Sequence, residues 1–199
     1  MIARRLLLAQ MGAATLAACD KPPGQPRTHL NQEITWSAEA RRFHLRGGDL
    51  RVSQSWDFAN GDQEFTGTGA ELRHIPGRGL ELVSQSADPI LRSPAGLALE
   101  GAAIDLVLVS LVRQRAVGAW DGALYYATDR RSETARYMNY AFGGPPAEGR
   151  PSVLVYDMTR LAQGGGDWRR STIDQLRLDT ATAAGDVCLI SQLALAQLA

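Results

Sequence analysis

Residues 172–179 read TIDQLRLD, a run whose polar and apolar positions alternate strictly from Gln175 onward. In an extended strand successive side chains point to opposite faces, so Leu176 and Leu178 turn to a core while Gln175, Arg177 and Asp179 form a polar row on the other side. The chain then turns through TAAGD into VCLISQLALAQL at 187–198. Leu and Ala there also suit a terminal helix, but the turn before it and the β-branched Val187 and Ile190 favour a strand. Upstream, similar runs recur between Gly, Pro and Asp turns: LRVSQSW (50–56), EFTGTGAELRHI (64–75), LELVSQS (80–86), IDLVLVSLV (104–112), GALYYATD (122–129), ARYMNYAF (135–142) and SVLVYDM (152–158). Nine short candidate strands at this spacing predict an all-β fold, an antiparallel β-sandwich or jelly roll.

The rest of the chain sets the boundaries. Residues 33–46 (EITWSAEARRFHLR) fit either one or two amphipathic helical turns or an edge strand. Residues 158–168, with a Gly triplet at 164–166, read as a loop. With 199 residues, 45% of them apolar, and 21 Lys+Arg against 21 Asp+Glu, the chain fits one compact domain. The balanced charge removes the electrostatic reason to expect a nucleic-acid partner. Twenty of the 21 cations are Arg, only Lys21 being Lys, a bias that fits a GC-rich genome.

No GxSxG, HExxH, GxxxxGK or GxGxxG motif occurs, and His29, His44 and His74 are too scattered to form a metal cluster by proximity. The expectation is therefore no enzyme, no catalytic residue and no cofactor. Glu64, Glu71, Asp129 and Glu133 are the carboxylates to test for glycosidic chemistry, each also readable as a solvated loop charge. The two Cys make no disulfide framework. Cys188 alternates with Ile190 and reads as a small buried apolar residue.

The N-terminus carries a different signal. Arg4 and Arg5 precede an apolar run from Leu6 to Ala18, short of the ~20 residues that span a bilayer. Residues 1–18 are predicted to be a secretory signal peptide, by the general route or the twin-arginine one. Leu16-Ala17-Ala18-Cys19 resembles the bacterial lipobox, which implies acylation of Cys19 and attachment to the membrane through a lipid. Asp20 resembles an inner-membrane retention signal, so the expected location is the cell envelope, facing the periplasm or the cell surface. Residues 19–32, with three prolines and a glycine, read as lipidated N-terminus and tether, and 33–199 as the folded domain with its core at about 50–196. Loss of Arg4 and Arg5 leaves 19 cations against 21 acids.

The segments WDFANGD (56–62), DPILRSP (88–94), GALYYATD, VYDM (155–158), TIDQLRLD and AGDVCLISQLAL (184–195) occur in an order similar to that of galactose-binding-like jelly rolls, found as carbohydrate-binding modules of secreted bacterial proteins. Trp168 matches that pattern; Pro151-Ser152, where a Trp is common, departs from it. Such modules often hold a structural calcium between an acid of the last strand, here Ser191, and acids of the opening strand. Asp57, Asp62 or Glu64 could still ligate one. The resemblance implies a non-catalytic module with a glycan partner; an envelope protein docking on the same face is the alternative. From the residues, the polar row Gln175, Arg177 and Asp179, an outward tyrosine (Tyr126 of the Tyr125-Tyr126 pair), Tyr137 and Asn139 with Arg136 beside them, and the loop-tip Trp120 form the candidate ligand-binding groove. Sugar recognition needs an aromatic plate against the ring face and directional polar groups around it.

Overall fold

The computed structural model describes residues 29–199. The predicted signal peptide at 1–18, Cys19 and the stretch up to residue 28 lie outside the described residues. A single helical turn, α1 (Leu30–Glu33), leads into fourteen strands: β1 (Ile34–Ser37), β2 (Arg42–Leu45), β3 (Leu50–Trp56), β4 (Thr66–Thr68), β5 (Ala70–Ile75), β6 (Gly79–Ser84), β7 (Ile90–Arg92), β8 (Leu99–Glu100), β9 (Leu106–Arg115), β10 (Ala123–Thr128), β11 (Met138–Tyr140), β12 (Pro151–Asp157), β13 (Thr172–Asp179) and β14 (Val187–Leu198). All pairings are antiparallel. One sheet runs β11-β10-β13-β7-β4, with β8 also on β13; the other runs β12-β9-β14-β6-β5, with β3 also on β14. The fold is the expected β-sandwich, and the C-terminal segment is a strand. No helix among the described residues is long and apolar enough to cross a membrane.

Between the sheets lies one core, with Leu82, Val107, Val109, Ile190, Leu193 and Leu195 from one side and Leu91, Leu124, Tyr126, Leu176 and Leu178 from the other. Each fully buried side chain of this kind contributes about 1.5–3 kcal/mol. Strand β14 keeps its large residues on that core through a register shift between Ile190 and Gln192. Such a bulge adds a residue, so Ile190 and Leu193 face the same way although three positions separate them.

A second, smaller core explains the unbroken apolar stretch 106–109 within the run at 104–112. Leu106 and Leu108 of β9, with Ala194 and Ala196 of β14, turn outward and are covered by Leu30, Ile34 and Phe43. Strands β1 and β2 pair as a hairpin laid over that outer face. The indole Nε1 of Trp36 donates to Gln192 Oε1 at 2.7 Å, and Gln192 Nε2 donates to Ser55 Oγ at 2.6 Å. Residues 33–46 are thus mostly strand, because their apolar positions meet a sheet face that would otherwise be exposed. Burial of Leu30 extends the packed unit into the stretch read as tether. With one outer face of the sandwich covered by the hairpin, the outer face of the β10-β13-β7 sheet is the one on which polar and aromatic side chains collect.

Candidate functional site

On that face Tyr125 of β10 lies opposite Arg177 of β13, which lies opposite Arg92 of β7 and, beyond it, Thr66 of β4. Residues in cross-strand register share a face, so these side chains form one row. The Arg177 guanidinium sits 4.7 Å from the Tyr125 ring centroid, a cation–π contact. It also grips Asp179 with two parallel bonds, Nε to Oδ1 at 2.7 Å and Nη2 to Oδ2 at 2.6 Å. The loop between β10 and β11 brings in Glu133, which meets Arg177 Nη1 at 3.4 Å and is bound by Arg92 through both carboxylate oxygens. Arg92 Nη1 donates to Thr68 Oγ1 at 2.9 Å, and Asp88 lies 3.7 Å from Arg177. The bond to Asp179 holds the Arg177 pKa above its ordinary value. Burial raises that of Asp179 despite its partner.

The row continues toward one end of the sandwich. Ala123 pairs with Tyr140 and Tyr125 with Met138, which makes Tyr125 and Tyr140 diagonal neighbours on the same face. Tyr140 is 51% exposed, unusual for a large aromatic. It borders a cleft of about 170 Å³ lined also by Trp120, Asp121, Gly122 and Pro145. Burial raises the Tyr125 hydroxyl pKa, with Asp179 and Asp121 adding to the effect. Asp121 Oδ1 accepts from the Ala123 amide at 3.1 Å, which fixes its carboxylate at the cleft.

Trp120 is both cap and wall. It packs against the main core, and a Cβ at Gly122 (φ +71°) would run into its indole nitrogen. Beneath it the Arg113 guanidinium lies 5.6 Å from the ring and is paired with the fully buried Asp186. Arg113 Nη2 also donates to the Gly118 carbonyl at 2.6 Å, tying down the loop that carries Trp120.

Four of the expected groove residues fall on this surface, and three do not. Gln175, Arg177 and Asp179 occupy the outer row, though Gln175 Nε2 is engaged by the Ser93 carbonyl at 2.8 Å and Asp179 is buried under Arg177. Trp120 lines the cleft. Tyr126 is inward and fully buried, because it shares the parity of Leu124 and faces Leu176; its hydroxyl donates to Asp167 Oδ2 at 2.9 Å. Tyr125 is the outward member of the pair. Tyr137 packs beside Tyr126, with the Arg131 guanidinium 3.5 Å from its ring. Asn139 is buried, its amide donating to the Asp157 carbonyl at 2.7 Å and its oxygen accepting from Ala162 N at 3.1 Å. It pins the loop after β12 and does not reach the groove. Arg136 is exposed on the loop before β11. Tyr140, Asp121 and Arg92 are not among the expected residues; Tyr140 shares its parity with the apolar Met138, which reads as inward.

The arrangement offers aromatic surface and hydrogen-bonding groups but no nucleophile with an adjacent base. Of the carboxylates named for glycosidic chemistry, Glu133 is held by two arginines, Glu71 pairs with Arg73, Asp129 lies beside Arg130, and Glu64 is exposed. Among the described residues no group of three or more His, Cys, Asp or Glu is placed to hold a metal ion. At the positions expected for a structural calcium, Arg41 donates to the backbone carbonyls of Asp57 and Ser191, and the Asp57 carboxylate accepts from Ala59 N at 3.0 Å. Cys188 is buried beside Asp186, and burial pushes its thiol up to about 12, leaving it unreactive at neutral pH.

No protein-family model matches the chain, and no curated protein matches it in sequence. Solved structures do share its fold. An agarase superposes with a TM-score of 0.54 at 11% identity over 73% of this chain, which spans only 26% of that enzyme. A family 29 carbohydrate binding module from Piromyces equi gives 0.47 at 7% identity, covering 75% of this chain and 91% of the module. A low affinity xylan binding module from Roseburia intestinalis gives 0.41 at 12% identity, over 75% and 89% respectively. At these identities the likeness is one of fold.

Proposed function

We propose that this chain is a non-catalytic glycan-binding β-sandwich, anchored to the membrane as a lipoprotein through Cys19, and that it engages an envelope or extracellular polysaccharide. The observation that carries the reading is Tyr140, half exposed beside Tyr125 and the Asp121 cleft on the face that the hairpin leaves free. A sugar ring presents an apolar face that stacks on an aromatic plate, and hydroxyls at its rim that both donate and accept. Tyr140 and Trp120 supply the first; Asp121, the Tyr125 hydroxyl and Arg177 supply the second. The fold neighbours include an agarase and two modules named for carbohydrate binding, a likeness of scaffold that agrees with this reading. For the anchor, the support is the Leu-Ala-Ala-Cys sequence ending at Cys19 after an apolar run.

Retardation of the folded protein in native gels cast with polysaccharides tests the reading. At least one polysaccharide retards the wild type, and Tyr140→Ala weakens that binding about tenfold, corresponding to about 1.4 kcal/mol of lost stacking. Because Tyr140 lies outside the core, its removal leaves thermal stability nearly unchanged. A folded protein that no polysaccharide retards, but that co-purifies from membranes with a stoichiometric protein partner, overturns the glycan reading.

A further inference from the structure

The charges around Tyr125 and Tyr140 bear on which kind of glycan the face can accept. Two guanidiniums, Arg92 and Arg177, stand against four carboxylates, Glu133, Asp179, Asp88 and Asp121. Neither arginine is a free cation. Arg177 is gripped by Asp179 through two bonds and touches Glu133 and Asp88, and Arg92 is gripped by Glu133. A carboxylate or sulfate on an incoming sugar gains most from a bidentate guanidinium, and both forks are already filled by carboxylates of the chain. To bind there, such a group must displace an existing partner and also approach the remaining carboxylates, within about 10 Å of which its charge is felt at 0.1 M salt. A neutral sugar pays neither cost: its hydroxyls donate to Asp121 and accept from the outer N–H groups of Arg177.

We infer that the face selects neutral glycans and rejects acidic ones, an inference that rests on the glycan-binding reading above. Glu133 is its specificity-determining residue, because it alone holds both arginines at once and so keeps each from an anionic ligand.

The test compares the full chain on gels cast with neutral polysaccharides (agarose, xylan, galactomannan) and acidic ones (alginate, polygalacturonate) at low ionic strength. Neutral polymers are expected to retard the wild type and acidic ones to leave it unretarded. In Glu133→Gln the two guanidiniums lose a charged partner, and binding to the acidic polymers rises about tenfold, an increase that added salt abolishes. Wild-type binding to an acidic polymer as tight as to any neutral one overturns the selectivity while leaving the glycan reading in place. That comparison decides the matter even if Glu133→Gln fails to fold. Failure of folded wild type to bind any polymer of either class overturns both.

Discussion

Replacing Asp186 with alanine is expected to destabilise the domain by about 3–5 kcal/mol, the cost of leaving one charge of a buried pair without its partner. Asp186 is fully buried, and its carboxylate holds Arg113 by Nε and Nη2, accepts from Val117 N at 3.2 Å, and lies 3.8 Å from the Cys188 thiol. The substitution strands the guanidinium among Cys188, Trp120 and the Gly118 carbonyl. For a domain of this size the loss corresponds to a fall in Tm of about 6–20 °C, read by thermal melts. Replacing both partners with apolar residues, Arg113→Met with Asp186→Leu, is expected to recover most of it, since the cost belongs to the unpaired charge and not to the missing attraction. A single variant within about 1 kcal/mol of wild type contradicts the packing described for this end of the sandwich.

Trp168→Ala carries a comparable penalty, about 3–5 kcal/mol from the lost burial and the cavity it leaves. The indole is fully buried, stands edge-on to Tyr126 with centroids 4.9 Å apart, and donates its Nε1 hydrogen to the Ile104 carbonyl at 3.0 Å. Its loss leaves that carbonyl unpaired as well, a further cost of about 1–3 kcal/mol. Against a total stability of about 5–15 kcal/mol, the variant is expected to be partly unfolded at 37 °C, and Trp168→Phe to keep more of the packing. Urea titration separates the two; equal midpoints for the Phe and Ala variants contradict a structural role for the ring's volume.

The sequence was most legible where a strand has one wet and one dry face. TIDQLRLD is β13 to the residue, and LRVSQSW is β3 to the residue. The run at 104–112 is readable as a strand, but the reason that 106–109 are all apolar is not, since the hairpin that covers Leu106 and Leu108 comes from a stretch whose own periodicity fits helix and strand equally. Strands β7 and β8, of three and two residues, are too short to show a period. In the candidate site the polar row of β13 followed from alternation alone. The choice between Tyr125 and Tyr126 could have been made from Leu124, whose parity Tyr126 shares. Asn139 is different in kind: a polar residue facing inward is paired there with backbone groups of a distant loop, and nothing in its neighbours announces those partners. Glu133 likewise reaches Arg92 and Arg177 across 41 and 44 residues of chain.

On the proposed reading, the free outer face around Tyr125 and Tyr140 binds sugar and the hairpin face does not. Backbone amide shifts recorded while a neutral oligosaccharide is titrated into the protein test it most directly. The predicted result is a saturable set of shifts at Asp121, Tyr125, Tyr140 and Arg177, with residues 34–45 unmoved. Shifts concentrated on the hairpin, or none at all with every neutral oligosaccharide tried, contradict it.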